Sequence, residues 1–352
     1  MTTTSARTPE SLRAAWLELL DRTPKLRIRS AAAELGVTEA ELLATRVGDG
    51  VRRLRADVAH LLPRLEALGE LMALTRNDLV VHEKTGVYRN VEVDGHAAQV
   101  VDHDIDLRIF PGRWRHGFAV ETETLRGTRR SLQFFDAHGV AVHKIFLTAA
   151  SDPEAAEELA RELLLDDQSP TVEIRPRRAP EPPRPDAEVD VPALEAGWRE
   201  MRDTHDFFGL LRSHGVARTQ ALCLVSHDFA RPADNGGLRR VLETASEKGI
   251  ELMIFVRSPG TFQIHHGPVQ RIVDTPPWLN VLDPGFDLHV REAGIADTWV
   301  VRKPTETGWV TSVELYDADG ELAALVFGCR EEGEPERRAW TELAQGLEAP
   351  RA

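Results

Sequence analysis

The chain repeats one order of hydrophobic patterns twice, with amphipathic segments first and alternating segments after them. SLRAAWLELLD, starting at Ser11, carries apolar residues at helical spacing, and SAAAELGVTEAELLA, starting at Ser30, is typical of two helices joined by a glycine turn. From Asp78 onward the period becomes two, which predicts short strands separated by Gly and Asp turns. SDPEAAEELARELLL, starting at Ser151, then predicts a closing helix.

The second half follows the same order. Its alternating segments run from ELMIFVR at Glu251 to ELAALVFGCR at Glu321, and EPERRAWTELAQGL at Glu334 predicts the last helix. The sequences DAHG and DADG are typical of hairpin turns, because Asp and Gly adopt unusual backbone angles. The pattern therefore predicts the α+β class, in which each half combines helices with a large antiparallel β-sheet.

An internal duplication supports this division. The stretch SLQFFDAHG at Ser131 returns as SVELYDADG at Ser312, and the Asp-Leu pair at 106–107 returns at 287–288, each time 181 residues later. Repeats of about 150 residues are too long for a solenoid and predict a duplicated domain.

A proline-rich segment separates the halves. Seven prolines lie between Pro170 and Pro192, and such a density favours an extended, donor-poor backbone. We expect a first repeat at 12–165, a linker at 166–193 and a second repeat at 194–345.

Composition narrows the class of protein. The 352 residues hold 43 Lys and Arg against 57 Asp and Glu, a net charge of −14, which argues against nucleic acid or an anionic membrane as partner. The sequence has no apolar run of about 18 residues, so membrane insertion is not expected. Its first residues lack the apolar stretch of a signal peptide. The two cysteines, Cys223 and Cys329, fit a reducing compartment, so the expected location is the cytoplasm.

The common enzyme motifs are missing from the sequence. There is no GxGxxG after a strand, no GxxxxGK[ST], no CxxC and no GxSxG. His82-Glu83 has no second histidine four residues on, so the zinc-protease motif fails as well.

A few polar side chains remain as candidates. His205 stands at the edge of an apolar face, on a helix predicted to begin near Asp203 or Thr204. It is interpreted either as a packed or capping residue or as an iron ligand with aromatic neighbours. Arg108 shares a strand face with Asp106 and is interpreted as a surface arginine paired with it or as a functional group. For Lys303, Arg218 and Arg330 the simplest interpretation is solvated charge.

Longer strings resemble a known family. NDLVVHEKTGVYRNVEV, DIDLRIFPGRWRHGFAVE, TWVVRKPTETGWVTSVELYDADG and VFGCREEGEPERRAW are similar to bacterial hemin-degrading and haem-utilisation proteins of the HemS/HmuS/ChuS type. The likeness spans residues 12–165 and 188–345. It implies two repeats, each with helices and a large antiparallel sheet, and haem held between the halves.

The resemblance also implies site residues. RDTHDFFGLL places the axial iron ligand, and hence the catalytic and metal position, at His205, and DLRIF places a catalytic distal residue at Arg108. The haem-binding positions fall on the following residues: Arg29, Arg218, Lys303, Phe327 and Arg330. Relatives often carry tyrosine in place of Phe327 and glutamine in place of Leu325, so this chain lacks a hydroxyl and an amide there. That puts oxygen activation in doubt more than haem binding.

The implied function is a cytoplasmic haem-binding protein of bacterial haem-iron utilisation that degrades haem or delivers it for iron release. Turnover would need electrons from outside, because no flavin or nicotinamide motif is present. A haem importer or an oxygenase or reductase is the implied protein partner; the oligomeric state is not predicted. The alternatives are a haem carrier without catalysis, a scaffold that binds no haem, and a DNA-binding regulator. The last would use the helix-turn-helix-like stretch from Arg29 and the arginines after it, Arg52, Arg53 and Arg55.

Overall fold

The computed structural model describes residues 7–124, 127–178, 182–331 and 333–350. Within these ranges the α-helices are α1 (Pro9–Arg22), α2 (Ile28–Leu35), α3 (Glu39–Ala44), α4 (Val58–Leu61), α5 (Pro153–Glu162), α6 (Val191–Glu200), α7 (Asp206–His214), α8 (Arg218–Leu224), α9 (Gly237–Lys248) and α10 (Arg338–Gln345).

The strands of the first half are β1 (Val51–Leu54), β2 (Gly69–Arg76), β3 (Val80–Gly86), β4 (Val91–Asp94), β5 (Ala97–Val101), β6 (Asp106–Ile109), β7 (His116–Thr124), β8 (Gly127–Phe135) and β9 (Ala141–Ser151). Those of the second half are β10 (Ala230–Ala233), β11 (Leu252–Arg257), β12 (Thr261–Gly267), β13 (Ile272–Thr275), β14 (Trp278–Asp283), β15 (Phe286–Val290), β16 (Asp297–Thr305), β17 (Gly308–Tyr316) and β18 (Leu322–Gly328).

The chain forms two compact units. The first unit comprises residues up to 76, 83–178 and 258–263, and the second comprises 77–82, 179–257 and residues from 264 onward. The boundary at 178 falls inside the expected linker, 166–193, and the exact limits of the two repeats stay a prediction.

The first unit is built on an antiparallel sheet in the order β1-β7-β8-β9-β2, with a second antiparallel group, β4-β5-β6. Its largest core contains Leu132, Phe134 and Ile145 from the sheet and Leu159 from α5. The helices α1 to α3 pack their own apolar residues, including Trp16, around buried Leu42. Helices therefore flank the sheet, as the sequence predicts.

The second unit repeats this plan. Its sheet has the order β10-β16-β17-β18-β11, and β13-β14-β15 form the second group. One core joins α9 and α10, through Val241 and Trp340, to inward residues such as Val313. Another core joins α6 to α8 to the sheet and includes Trp198 and Phe207.

Strand register confirms the duplication residue by residue. Met72 pairs with Phe146 in the first unit, and Met253 pairs with Phe327 in the second, so both partners recur 181 residues later. The hairpin turns also match, because Gly139 and Gly320 both have φ 73°. The α+β class and the duplicated domain are thus confirmed.

The predicted boundary between helices and strands is wrong in one respect. Strands β1 and β2 precede Asp78, and β10 lies between α8 and α9. In β2 the neighbours Ala73 and Leu74 are both buried, so apolar residues face both sides and the alternation is lost. A strand that is covered on both faces cannot be distinguished from a helix by its periodicity.

The expected linker is partly docked. Residues 171–178 form neither helix nor strand, but Val172 and Ile174 pack against a core around Phe118. The helix α6 already begins at Val191, and residues 179–181 lie outside the described part of the chain. Among the described helices, none combines the length and the apolar character that a membrane span requires.

Candidate functional site

His205 lies at the N-cap position of α7 with its side chain 93% exposed. Its backbone N–H donates to Oδ1 of Asp203 at 2.7 Å, and its ring Nδ1 lies 2.5 Å from the same oxygen. The sequence predicts that this helix begins near Asp203 or Thr204. It begins slightly later, at Asp206. His205 occupies the N-cap position, but its side chain makes no capping hydrogen bond and is not packed, since the ring is exposed.

A short acidic turn fixes this histidine. Oδ2 of Asp206 accepts hydrogen bonds from the backbone N–H groups of Arg202 and Asp203, which holds the turn before the helix. The N–H of His205 lowers the pKa of Asp203, and the ring of His205 and the charge of Arg330 add to this effect against burial. A carboxylate can only accept a hydrogen bond, so Nδ1 of His205 carries a proton.

This arrangement leaves the other ring nitrogen available. In the described part of the chain, Nε2 of His205 has no hydrogen-bond partner. An imidazole that donates its Nδ1 proton to a carboxylate and presents a free Nε2 is the usual arrangement of a metal-binding histidine.

The two phenylalanines after His205 have different surroundings. Phe207 is 2% exposed and packs on Trp198, with 4.5 Å between ring centroids. Phe208 is 70% exposed, and the guanidinium carbon of Arg212 lies 5.4 Å from its ring centroid. The first residue anchors α7 in the core, while the second presents an aromatic surface in the turn that follows His205.

Beneath α7 lies a buried ion cluster. Glu314 accepts from Arg218 in a bidentate pair of 2.9 and 2.7 Å and from Nζ of Lys303 at 2.8 Å. The hydroxyl of Tyr316 donates to the same carboxylate at 2.5 Å. The solvated-charge interpretation is wrong for Lys303, whose side chain is 5% exposed, and for Arg218, which is 28% exposed and tied to Glu314.

The cluster has more positive than negative charge. It contains the two cations of Arg218 and Lys303 and the one carboxylate of Glu314. Arg218 does not lose its proton, so the excess charge acts on Lys303, and burial lowers the pKa of Lys303 to about 8. The two cations hold the pKa of Glu314 well below its usual range.

Phe207 connects this cluster to α7. The guanidinium carbon of Arg218 lies 5.0 Å from the ring centroid of Phe207, and Nζ of Lys303 lies 4.6 Å from it. The helix that carries His205 thus rests on both cations through cation–π contacts.

An apolar surface lies on the same face of the sheet. Leu325 is directly opposite Glu314 in the β17–β18 register, so their side chains point to the same side. Phe327 follows two residues later, and its ring meets that of Phe255 edge to face at 5.3 Å. Four half-buried side chains form this surface, which we call the apolar wall: Met253, Phe255, Leu325 and Phe327.

Comparisons with known proteins identify the family. The domain family described as "Haemin-degrading HemS.ChuX domain" matches residues 36–163 and 215–347, once in each half. The chain belongs to this HemS family. The resemblance found in the sequence is thereby confirmed.

Known members of the HemS family are similar along nearly the whole chain. The hemin transport protein HemS of Yersinia enterocolitica is 38% identical over 334 residues, which cover 95% of this chain and 96% of that protein. Holo-PhuS, a heme-binding protein from Pseudomonas aeruginosa, is 48% identical, with a TM-score of 0.95 over 97% of this chain and all of that one. ChuS of Escherichia coli, a heme degrading enzyme, is 36% identical, with a TM-score of 0.91 and the same coverage.

The remaining positions carried over from HemS proteins lie apart from the ion cluster. Arg330 follows β18, is half-buried and donates to the carbonyl of Glu334 at 3.0 Å. Arg108 lies in the first unit on β6, where it forms an ion pair with buried Asp106 while its own side chain is 41% exposed. The pairing with Asp106, one of the two interpretations that the sequence allows, is therefore present. Arg29 lies half-buried on α2, also in the first unit, and its charge helps lower the pKa of Glu39.

Sequence reasoning missed several residues of this candidate site. Glu314 lies in the repeated stretch SVELYDADG, but its first-unit counterpart is the neutral Gln133, so the repeat gives no sign of a buried charge. Asp203 could have been recognised from the sequence, because an acidic residue two positions before a candidate metal ligand is able to orient that ligand. Met253 and Phe255 belong to the predicted strand ELMIFVR, whose alternation does not reveal which face is covered.

Proposed function

We propose that this protein binds haem and that Nε2 of His205 is the axial ligand of the iron. The observation that carries this proposal is the exposed imidazole whose Nδ1 is held by Asp203 at 2.5 Å. Neutral imidazole is a common ligand of haem iron, and its partner on Nδ1 fixes the tautomer that binds.

The apolar wall supports a flat hydrophobic ligand. Haem supplies an apolar disc with an iron centre, and removal of such a surface from water stabilises binding by about 25 cal/mol per Å². A haem bound over the apolar wall would remove the remaining exposed surface of the half-buried rings of Phe255 and Phe327 from water.

The cations support recognition of the two haem carboxylates. The partly exposed guanidinium of Arg218 belongs to a cluster with excess positive charge. Arg330 is half-buried, and its charge helps lower the pKa of Asp203. Both suit a carboxylate. Lys303 is too buried to reach a ligand in this conformation, so we assign it an electrostatic role through the cluster. Arg108 as distal residue and Arg29 as a further cation remain proposals.

The biological role that we propose is bacterial haem-iron utilisation, by delivery of haem or by its degradation. Delivery has the stronger support from the residues, because Leu325 and Phe327 place no polar atom on the apolar wall to organise water beside a bound ligand. Degradation remains the second candidate, since the similar protein ChuS is a heme degrading enzyme. It would require electrons from a partner or a small reductant.

Location and partners follow from the same role. The chain has only two cysteines, too few for a disulfide framework, which suits the cytoplasm. A haem importer, oxygenase or reductase is the proposed protein partner. A DNA-binding role has less support, because Arg52 and Arg53 lie on strand β1 and form ion pairs of 2.6 Å with Glu157 and Asp167.

Titration with hemin tests the proposal. We expect a Soret band that saturates at one hemin per chain and is much weaker in His205→Ala. His227→Ala is the matched control, because His227 is also an exposed histidine of the second unit, and it should behave as the unchanged protein. Equal Soret bands in both variants would reject His205 as the ligand.

Addition of ascorbate under air to the hemin complex then separates the two roles. An unchanged haem spectrum supports delivery. Loss of the Soret band with release of carbon monoxide or a bilin supports degradation.

A further inference from the structure

A cavity of about 320 Å³ lies in the first unit, beside the start of β7. Its walls come from β1, the residues before β7, the turn after β8 and the chain beyond α5. Four arginines line it: Arg53, Arg55, Arg115 and Arg175. In a chain with a net charge of −14, this is a local concentration of positive charge.

Two of these arginines are already bound within the protein. Nη1 of Arg53 donates to Asp167 at 2.6 Å, and Nη2 of Arg55 donates to the carbonyl of Glu162 at 2.8 Å. Arg115 and Arg175 differ, because in the described part of the chain neither guanidinium has a hydrogen-bond or ion-pair partner. Both side chains belong to exposed residues on the cavity wall, so their donors are available to a ligand.

A buried histidine nitrogen adds a third group without a partner. Nε2 of His116 is inaccessible to solvent and forms no hydrogen bond among the described residues. A buried polar atom without a partner is rare in a folded protein and suggests a ligand or a bound water. His116 lines the same cavity as Arg115 and Arg175.

We propose that this cavity binds a phosphate group, either as free phosphate or as the phosphate ester of a small metabolite. The guanidinium fork matches phosphate oxygens in a bidentate manner, and two free arginines are available for one dianion. The cavity has the size of a small-molecule site and exceeds a single phosphate, so it leaves room for an organic substituent. Glu173 also lines the cavity and is the acidic residue of that lining. It lies between Val172 and Ile174, the linker residues that pack against the core around Phe118.

Binding should also change the protonation of His116. Burial lowers its pKa, and the charges of Arg115 and Arg53 lower it further, whereas the carbonyl of Glu173 and the carboxylate of Asp136 act in the opposite direction. A dianion bound in the cavity would lie close to the imidazole, and its negative charge would raise the pKa of His116.

Calorimetric titration of the full chain with inorganic phosphate and with phenyl phosphate, in a phosphate-free buffer of low ionic strength, tests the proposal. We expect saturable binding of at least one of them, weakened tenfold or more in Arg115→Gln and in Arg175→Gln. Arg130→Gln is the control, since Arg130 lies in the same unit but pairs with Glu121 outside this cavity, and it should change affinity less than twofold. Tighter binding of phenyl phosphate would identify an ester, and equal binding would identify free phosphate.

Two results would overturn the proposal. One is the absence of saturable binding of either compound at millimolar concentration. The other is an equal loss of affinity in Arg130→Gln and Arg115→Gln, which would indicate attraction to the surface as a whole. Hemin titration of Arg115→Gln should give the Soret band of the unchanged protein, because Arg115 is not one of the proposed haem-binding residues, so the proposed haem site is tested separately.

Discussion

The carboxylate of Asp203 lies 2.5 Å from Nδ1 of His205, at the exposed start of α7. This contact determines which ring nitrogen is free. It also restricts rotation of a side chain that nothing else in the described structure holds, since the ring is 93% exposed. Asp203 is therefore a positioning residue for the proposed iron ligand.

Replacement of Asp203 by asparagine should weaken hemin binding by about 10–100-fold, the usual effect of losing the carboxylate behind a metal-binding histidine. The asparagine amide no longer selects the tautomer with a proton on Nδ1. The measurement is the hemin dissociation constant together with the position of the Soret band. Asp228→Asn, at an exposed position of the same unit, should leave both unchanged. Similar constants for the two variants would show that Asp203 does not position His205.

Replacement of Glu314 by glutamine should destabilise the protein by about 3–5 kcal/mol, because the buried Lys303 and the partly buried Arg218 lose their counterion. The carboxylate is fully buried and accepts from Arg218, Lys303 and Tyr316. Urea unfolding followed by circular dichroism measures the effect.

Glu321→Gln is the matched control. Its carboxylate is 65% exposed and pairs with Arg257 at 3.1 Å, so its loss should cost about 0–1 kcal/mol. If both variants lost the same stability, the cluster around Glu314 would not support the second unit.

Much of the fold was predictable from the sequence, because each half carries clear periodic signals. The closing helix at Pro153–Glu162 begins where the Asp-Pro pair indicates, with Asp152 accepting from the helix. The shift of 181 residues between Ser131 and Ser312 recurs in the strand register. Strand β2 escaped detection because its two faces are both covered, which removes the alternation on which the prediction depends.

The candidate site was less predictable. The family resemblance indicated Lys303 and Arg218, but their environment depends on Glu314, which lies on another strand 11 residues after Lys303. Sequence spacing does not show that α8, β16 and β17 bring these three side chains together. Whether a cation is solvated or buried is decided by this packing, and no pattern along a single strand contains that information.

The cluster predicts a stability change at alkaline pH. The pKa of Lys303 is about 8 in the folded protein and 10.5 in an ordinary environment. Between these values the unfolded chain binds more protons than the folded one, so stability rises with pH. Relative to Lys303→Met, the unchanged protein should gain up to about 1.4 kcal/mol per pH unit in this range.

Urea unfolding of both proteins at several values between pH 8 and 10 measures this gain. Lys248→Met removes an exposed lysine of the same unit and should keep the slope of the unchanged protein. A constant difference between the unchanged protein and Lys303→Met across the range would contradict the buried, excess positive charge.

A second buried group makes the first unit sensitive to acid. His143 is 1% exposed, with Nε2 2.8 Å from the hydroxyl of Tyr88 and Nδ1 2.9 Å from that of Thr75. Burial lowers the pKa of His143 from 6.5 to about 3. Between those values the unfolded chain holds the extra proton, so stability falls as the pH is lowered from 6.5 toward 3.

His143→Gln cannot take up this proton, so its stability should fall less steeply over the same range, by up to about 1.4 kcal/mol per pH unit. Urea unfolding at intervals between pH 6.5 and 4 gives the two slopes, and the slope is informative even if the variant is less stable throughout. His103→Gln, at a side chain that is 83% exposed, should retain the slope of the unchanged protein. Parallel slopes for the unchanged protein and His143→Gln would mean that the buried imidazole does not control the acid sensitivity of the first unit.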